Sequence, residues 1–314
     1  MIDVITFEFE AGHRFHGHPH FTYIVDDNLY MWRYDIQRKA MLNQCSGIDN
    51  SGKTLEEGLT ELLGRRSDNN FGIINKQAIS HKPGCFYPRI WRIGSLEDNF
   101  KSIGEPTFNN SVLRQAVTTA SILVKKLLVI FETIEPNLVN LDSYGHEIRN
   151  LLLLTCMEVE TNLAGILRAN DYASPRGDRM NTQDYVKLHE PLQLSHYTVK
   201  FEFYPDINEY RPFENWDSSS PTQSIPWYDA YNKTKHNRED ELSSASLLRA
   251  IESVSALLIL LHAQFGPYHE FWNESPLSNI LITKPELIDI NKMYIPHNAD
   301  KTKITEWQEM KMTF

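Results

Sequence analysis

Cysteine is scarce in this sequence, which has three in 314 residues, at Cys45, Cys85 and Cys156. The three are widely separated and odd in number, so they define neither a disulfide framework nor a cysteine-based zinc motif. Such usage is typical of proteins in a reducing compartment. We therefore predict a cytoplasmic protein.

Long hydrophobic runs are also lacking. The longest, such as 151–154 and 257–261, are far shorter than the roughly 20 residues that span a bilayer. The first residues, MIDVITFEFEAGHRF, show neither the charge cluster nor the apolar segment of a signal peptide. We therefore expect no membrane partner.

Positive charge is in deficit, with a formal net charge of −10. A broad DNA-binding surface needs the opposite sign, so we expect none. The glycine-rich loops GxxxxGK[ST] and GxGxxG and the zinc motif HExxH are absent, and we expect no cofactor. The overall hydrophobic content of 41% and charged content of 23% are typical of a soluble globular protein.

Residues 1–105 have a mixed character that predicts an α+β region. Ile5, Phe7 and Phe9 alternate with polar residues, which indicates a strand. We also expect a hairpin of strands 22–25 and 29–36, a short helix over 55–63, and two strands over 71–79 and 86–93.

From residue 106 onward the apolar spacing becomes helical. It predicts long helices over 109–134 and 144–170 and a third ending at Phe265. Between the second and third lie a short helix and a strand, predicted over 183–189 and 197–204, and a proline-rich loop. After the third we expect strands over 277–283 and 287–295 and a helix within 300–314.

These patterns predict a mainly α protein, an antiparallel helical bundle with an α+β N-terminal region. The expected parts are 1–105, the helical domain 106–270 and a C-terminal extension 271–314. The second half of the third long helix is apolar nearly all round. Because this implies a covering layer on more than one side, we expect a homodimer built on the helical domain.

The segment 231–238, YNKTKHNR, concentrates the most chemically capable side chains of the chain. Ser224 is a plausible N-cap for the helix that carries it, and Pro226 suits the first turn. A histidine can relay protons at neutral pH, and nearby cations can bind phosphate. The alternative is a solvated basic helix end placed favourably against the helix dipole.

This segment, within long antiparallel helices, resembles the HEPN family of helical domains. That family's motif is Arg, a polar residue, and His four to six positions after the Arg. Asn232 matches the polar position and His236 the histidine, whereas Tyr231 stands where the family has arginine. The resemblance spans about residues 107–266.

The resemblance implies a metal-independent endoribonuclease of bacterial defence or toxin–antitoxin type. His236 would be the acid/base, Asn232 would orient the phosphate or the histidine, and Arg238, Lys233 or Lys235 would supply the positive charge that Tyr231 cannot. The expected ligand-binding residues are Tyr231 and three cationic residues, Lys233, Lys235 and Arg211. Two alternatives stay open: a non-catalytic module that binds RNA, a nucleotide or a protein, and a structural oligomerisation domain.

Two other clusters have weaker signals. Four histidines lie within 13–20, and neutral imidazoles this close can ligate transition metals. No carboxylate or cysteine completes the set, so we expect a surface loop and no metal. Glu158, Glu160 and Asn162 either line a pocket beside the motif or face solvent, and solvent is the interpretation favoured here.

Overall fold

The structure, a computed structural model, shows an α+β protein. It describes residues 3–37, 40–65, 72–80, 82–92, 110–177, 179–207, 209–266, 276–277, 280–283, 289–297 and 307–314. Helices make up 43% of it and strands 20%, including a five-stranded antiparallel sheet. The predicted fold class, a mainly α helical bundle, is therefore wrong. The N-terminal region contributes most of the strand content, as one complete sheet.

The chain divides into two compact units. The sheet unit is drawn from Met1–Phe86, Arg92–Pro106 and Leu287–Met310, and the helical unit from Tyr87–Trp91, Thr107–Glu286 and Lys311–Phe314. The sequence predicted three parts with an independent C-terminal extension. In the structure, described residues after 271 belong to both units.

The sheet has the strand order β4-β3-β2-β1-β5. Its strands are β1 (Asp3–Phe9), β2 (His20–Val25), β3 (Asn28–Asp35), β4 (Ala40–Asp49) and β5 (Ile73–Ser80). The predicted hairpin is confirmed, with Asp26 and Asp27 at φ 49° and 58°. Positive φ at both central residues is what a two-residue turn between twisted strands requires.

Both faces of this sheet are covered. One face packs against helix α1 (Leu55–Gly64) through Leu59 and Leu62, and Thr54 with Glu57 forms a capping box that begins the helix. The other face carries Phe21, Tyr23 and Trp32, and Met293 and Ile295 pack on it. Because polar positions such as Thr6 are buried as well, the strand alternation was weaker than in a sheet with one wet face.

Several expected strands are shorter or absent. The strand expected over 86–93 is reduced to β6 (Cys85–Phe86), which pairs in parallel with β9 (Gln308–Glu309). The described part of 287–295 has a 3₁₀ turn and no strand, and residues 307–314 contain no helix. Short apolar runs give the same signal for strands and buried loops, so these segments were misassigned.

The helical unit is built on four helices, of which α2, α3 and α7 confirm the three predicted long helices. They are α2 (Asn110–Phe131), α3 (His146–Ala169), α5 (Pro226–His236) and α7 (Leu247–Phe265). Shorter elements are α4 (Thr182–Tyr185), α6 (Arg238–Glu241) and the ribbon of β7 (Thr198–Phe201) with β8 (Ile280–Thr283). Ser143 and Tyr144 pair with the residues that begin α7, so α3 and α7 start at the same end of the unit.

Helix α7 is the central element of this unit. Sixteen of its residues are buried, and α2, α3, α5 and the ribbon surround it. Other elements of the same chain therefore cover its apolar residues on all sides. The observation that motivated the homodimer has an intramolecular explanation, and dimerisation itself stays a prediction.

A buried polar network links α3 and α7. The amide Nε2 of Gln264 donates to Asn162 Oδ1 at 3.2 Å, and Arg89 donates from Nε and Nη2 to Gln264 Oε1 at 2.9 and 2.6 Å. Burial lowers the pKa of Arg89 to about 10, so the guanidinium is still charged at neutral pH. The arginine side chain crosses α3 where Gly165 leaves room for it.

We expect Gly165→Ala to destabilise the protein, although alanine in a helix interior normally stabilises the helix by about 1 kcal/mol relative to glycine. A Cβ at this position would lie 2.0 Å from Arg89 Nη1, so the guanidinium would have to leave Gln264. Urea unfolding of the single variant should show lower stability than the wild type.

The control is the same substitution in an Arg89→Ala background. Without the guanidinium, Gly165→Ala should become stabilising. Equal effects in both backgrounds would contradict the proposed packing of Arg89 on Gly165.

Candidate functional site

The candidate site lies on α5, which crosses the outside of α3 in the opposite direction. Pro226 occupies the first turn as expected, but the N-cap is Ile225, and no side chain caps the helix. Ser224 instead accepts a hydrogen bond on Oγ from the Asp217 amide at 3.0 Å. The assignment of Ser224 as N-cap is therefore wrong.

Tyr231 is buried, with 1% of its surface exposed. Its hydroxyl lies 3.4 Å from Glu160 Oε2, and the hydroxyl of Tyr228 donates to Glu160 Oε1. Burial, followed by the proximity of Glu160, raises the pKa of Tyr228, and burial also raises the pKa of Tyr231, so both phenols stay protonated. The residue at the family's arginine position is thus a core side chain.

Lys235 completes this network from the solvent side. Its Nζ donates to the Tyr231 hydroxyl at 2.9 Å and lies 4.8 Å from the centroid of the same ring. The hydrogen bond to Tyr231 is the main reason that the pKa of Lys235 is raised. We name Tyr228, Tyr231, Glu160 and Lys235 the tyrosine–glutamate network. Its members hold α5 against α3.

Three of the predicted site residues remain available to a ligand. Asn232 is half-buried, whereas His236 and Arg238 are exposed. None of the three side chains has a hydrogen-bond or ion-pair partner among the described residues. Asn232 and His236 are four residues apart on one helix, so their side chains share a face. We name Asn232, His236 and Arg238 the α5 end.

Arg149 of α3 was missed by the sequence analysis. Its Nη2 and Nε donate to the carbonyl oxygen of Thr234 at 2.9 and 3.3 Å, within the last turn of α5. A guanidinium at this place favours the negative end of the helix. The contact brings an arginine to the last turn of α5, and no motif spacing in the sequence could have revealed it, because Arg149 comes from another helix.

The remaining two cations of the predicted set, Lys233 and Arg211, are each paired with a carboxylate. Lys233 pairs with Asp229 at 2.9 Å. Arg211 pairs with Glu214, and its neighbour Pro212 accepts a hydrogen bond from Trp227 at the start of α5. Trp227 and His236 are nine residues apart, about 13 Å along a helix. The expectation that Arg211 reaches the motif is therefore wrong.

The local charge is mixed. Between Asp229 and Glu241 the chain carries three lysine or arginine residues and four carboxylates. The carboxylates of α6, Glu239 to Glu241, directly follow the α5 end. A long polyanion needs a continuous cationic surface, so this end suits a ligand that has one or a few phosphates.

The solvent-facing interpretation of Glu158, Glu160 and Asn162 is wrong. Asn162 is buried, where it bonds to Gln264 and Arg89, and its Nδ2 donates to Glu158 Oε1 at 2.9 Å. Burial raises the pKa of Glu158 above its usual value. Glu160 lies directly beside the motif, as the alternative interpretation held, but it binds the two tyrosines.

The histidines between residues 13 and 20 are engaged with the fold of the sheet unit. The ring of His13 stacks on Phe9 at 3.9 Å, and His16 Nδ1 lies 2.8 Å from the Phe9 carbonyl oxygen. Burial lowers the pKa of His20 to about 3, so that ring is neutral. Within the part of the chain that the structure describes, no three His, Cys, Asp or Glu side chains form a metal-binding group. The absence of metal stays a prediction.

Two helices, α3 and α7, are long and apolar enough to cross a membrane by length and composition. In the structure 83% of the α7 window and 56% of the α3 window are buried. This is consistent with the core of a soluble protein. The cytoplasmic location and the absence of a membrane partner stay predictions.

Comparison with protein-family models, with curated proteins and with solved structures finds no significant match to this chain. The interpretation of the site therefore depends on its own geometry.

We expect Glu160→Ala to destabilise the protein by about 1–3 kcal/mol, because it leaves the hydroxyls of Tyr228 and Tyr231 without their carboxylate. The matched control is Glu147→Ala, which removes an exposed carboxylate from the same helix. It should change stability by no more than about 0.5 kcal/mol. Chemical denaturation measures both variants, and equal effects would show that Glu160 does not hold α5.

Proposed function

We propose that the helical unit is a HEPN-like binding module that takes a phosphate-bearing ligand, a nucleotide or a short RNA, at the α5 end. One observation carries the proposal. Tyr231, at the family's arginine position, is buried in the tyrosine–glutamate network, whereas Asn232 is half-buried, His236 and Arg238 are exposed, and none of the three bonds to another described residue. Residues that the fold does not use are the ones available for recognition.

The chemistry of these side chains suits phosphate. Arg238 and a protonated His236 donate charge-assisted hydrogen bonds, and the Asn232 amide donates a neutral one. Arg149 adds a guanidinium, of which Nε and Nη2 are engaged with Thr234. The mixed local charge favours a mononucleotide over a long RNA.

An exposed aromatic ring lies at the same end of the unit. Tyr144 is 56% exposed and precedes α3 by two residues, next to the turn that carries Arg149. Aromatic side chains stack on nucleobases at about 1–3 kcal/mol per base. A nucleotide therefore fits this end better than inorganic phosphate alone.

Calorimetric titration with AMP tests the proposal. Because a charge-assisted hydrogen bond contributes about 1.5–3 kcal/mol, His236→Ala and Arg238→Ala should each weaken binding about tenfold or more. The melting temperature should barely change, since both side chains are exposed and neither contacts a partner in the described part of the chain.

Arg211→Ala is the matched control, because it removes an exposed arginine at the other end of α5. It should leave the affinity unchanged. Equal weakening by Arg211→Ala and Arg238→Ala would show only non-specific attraction to charge. No binding of AMP by the wild type at millimolar concentration would overturn the proposal.

A second candidate is the metal-independent endoribonuclease. Its support is the exposed imidazole of His236 on the same helix face as Asn232, with the Arg149 guanidinium bonded to the Thr234 carbonyl two residues before His236. Its weakness is that Arg149 is already bonded to Thr234. A role in bacterial defence or in a toxin–antitoxin pair would follow only from this activity.

We expect the wild type to bind a short RNA without cutting it. The measurement is gel analysis of an end-labelled RNA with EDTA present, which removes metal-dependent contaminants. Cleavage that persists in EDTA and disappears in His236→Ala would replace the binding module with the ribonuclease. Cleavage that survives in His236→Ala would place the activity outside this site.

A further inference from the structure

The outer face of α2 is an exposed stripe that is continuous along the helix. Its residues follow one another at alternating intervals of four and three, and all of them are exposed: Ser111, Gln115, Thr118, Ile122, Lys125 and Val129. This 3-4 spacing is the one with which two helices pack side by side along a seam. The stripe extends over roughly 27 Å of the helix axis.

The centre of this stripe is apolar. Ile122 and Val129 are 50% and 58% exposed. Thr118 Oγ1 donates to the Arg114 carbonyl oxygen of the same helix at 2.7 Å. Because the threonine hydroxyl is bonded within the helix, its methyl group is left to the stripe. A covering helix would therefore remove two aliphatic side chains and a methyl group from water, which is favourable.

The charge of α2 is opposite to that of the whole chain. The helix contains three cations and no carboxylate, whereas the chain has a net charge of −10. The cations Arg114, Lys125 and Lys126 are exposed, and none has a hydrogen-bond or ion-pair partner among the described residues. At 3.6 residues per turn, Arg114 and Lys125 lie on one side of the apolar centre and Lys126 lies on the other. The apolar centre is thus flanked by positive charge on both sides.

We propose that α2 docks an amphipathic helix of a partner protein, with apolar residues at 3-4 spacing and carboxylates on both flanks. The apolar residues of the partner would cover Ile122 and Val129. Its carboxylates would pair with the three cations, in the way that flanking charges select partners in coiled coils. A single helix face is a small interface, so the dissociation constant should be on the order of micromolar. The docking surface does not depend on the proposed ligand of the α5 end.

Other occupants of this face fit less well. A nucleic acid or an anionic bilayer is attracted by positive charge over a broad surface, and this chain is acidic as a whole. Glu132 and Glu135 directly follow α2 and would repel both of these polyanions. The α2 face of a second copy would oppose cations to cations. An acidic helix needs positive charge only along the two flanks of the seam.

Two synthetic helical peptides as long as α2 test the proposal against the full chain. Both have leucine at 3-4 spacing, and their flanks carry glutamate in one and lysine in the other. Fluorescence anisotropy should show that the glutamate peptide binds at least about tenfold more tightly than the lysine peptide. A scrambled glutamate peptide of the same composition is the control for charge alone. Equal binding of the scrambled peptide, or no binding of the glutamate peptide at about 1 mM, would overturn the proposal.

Charge reversal tests the flanks of the seam. In the double variant Lys125→Glu, Lys126→Glu the preference should invert, so that the lysine peptide binds more tightly than the glutamate peptide. The matched control is Arg179→Glu with Lys200→Glu, which removes two exposed cations elsewhere in the helical unit. It should leave the preference unchanged. Equal losses in the two double variants would show attraction to net charge only, which contradicts a docking seam.

An apolar variant tests the centre of the seam. Ile122→Asp should weaken binding of the glutamate peptide about tenfold or more, without a change in melting temperature. Leu154→Asp is the matched control, because this leucine is 45% exposed in the middle of α3. It should leave the affinity unchanged, and equal weakening by both variants would refute the assignment to α2.

A polyanion surface is the remaining outcome. The full chain is titrated with a short single-stranded RNA and with phosphatidylserine vesicles, and neither should bind as tightly as the glutamate peptide. Tighter binding of either probe, lost in Lys125→Glu, Lys126→Glu, would replace the partner helix with that polyanion.

Discussion

The helical unit depends on the burial of α7. Leucine and isoleucine side chains contribute about 1.5–3 kcal/mol each when they are removed from water, and nearly every residue of this helix is buried. A helix that is apolar on all sides cannot lie at a surface, so α2, α3, α5 and the ribbon have to enclose it. The placement of the other elements follows from this requirement.

Three polar side chains inside this core satisfy one another in a hydrogen-bond network. Gln264 and Asn162 bond to each other between parallel helices, and the Arg89 guanidinium bonds to both. Burying a cation is tolerated only when its donors have partners. The backbone of Arg89 has a positive φ of 58°, and the absence of a Cβ at Gly165 leaves the space for its side chain.

On α5, the side chains that bond within the core are distinct from those that stay exposed. One face of this short helix, with Tyr228 and Tyr231, is bonded to Glu160 and closes the core. The last turn extends beyond that contact and leaves His236 in solvent. Tyr231 therefore contributes packing and a hydrogen bond to Glu160, and it supplies no charge to the exposed residues of this helix.

The sequence by itself determined the elements whose apolar spacing is long and regular. The helices α2, α3 and α7 were predicted to within a few residues, except at the start of α7, because a periodic apolar stripe is a local property. The β2–β3 hairpin was equally readable from Asp26-Asp27-Asn28. The strand β4 and the short pairing of Cys85–Phe86 with Gln308–Glu309 were not, because pairing partners distant in sequence leave no local signal.

Only the tertiary structure decided which charged residues meet. Spacing along α5 placed Asn232 beside His236, but it could not show that Tyr231 faces Glu160. Nor could it show that Arg149 reaches Thr234 or that Arg211 lies at the far end of α5. Such contacts depend on the packing of one helix against another, and that packing is set by apolar surfaces rather than by the charged residues themselves.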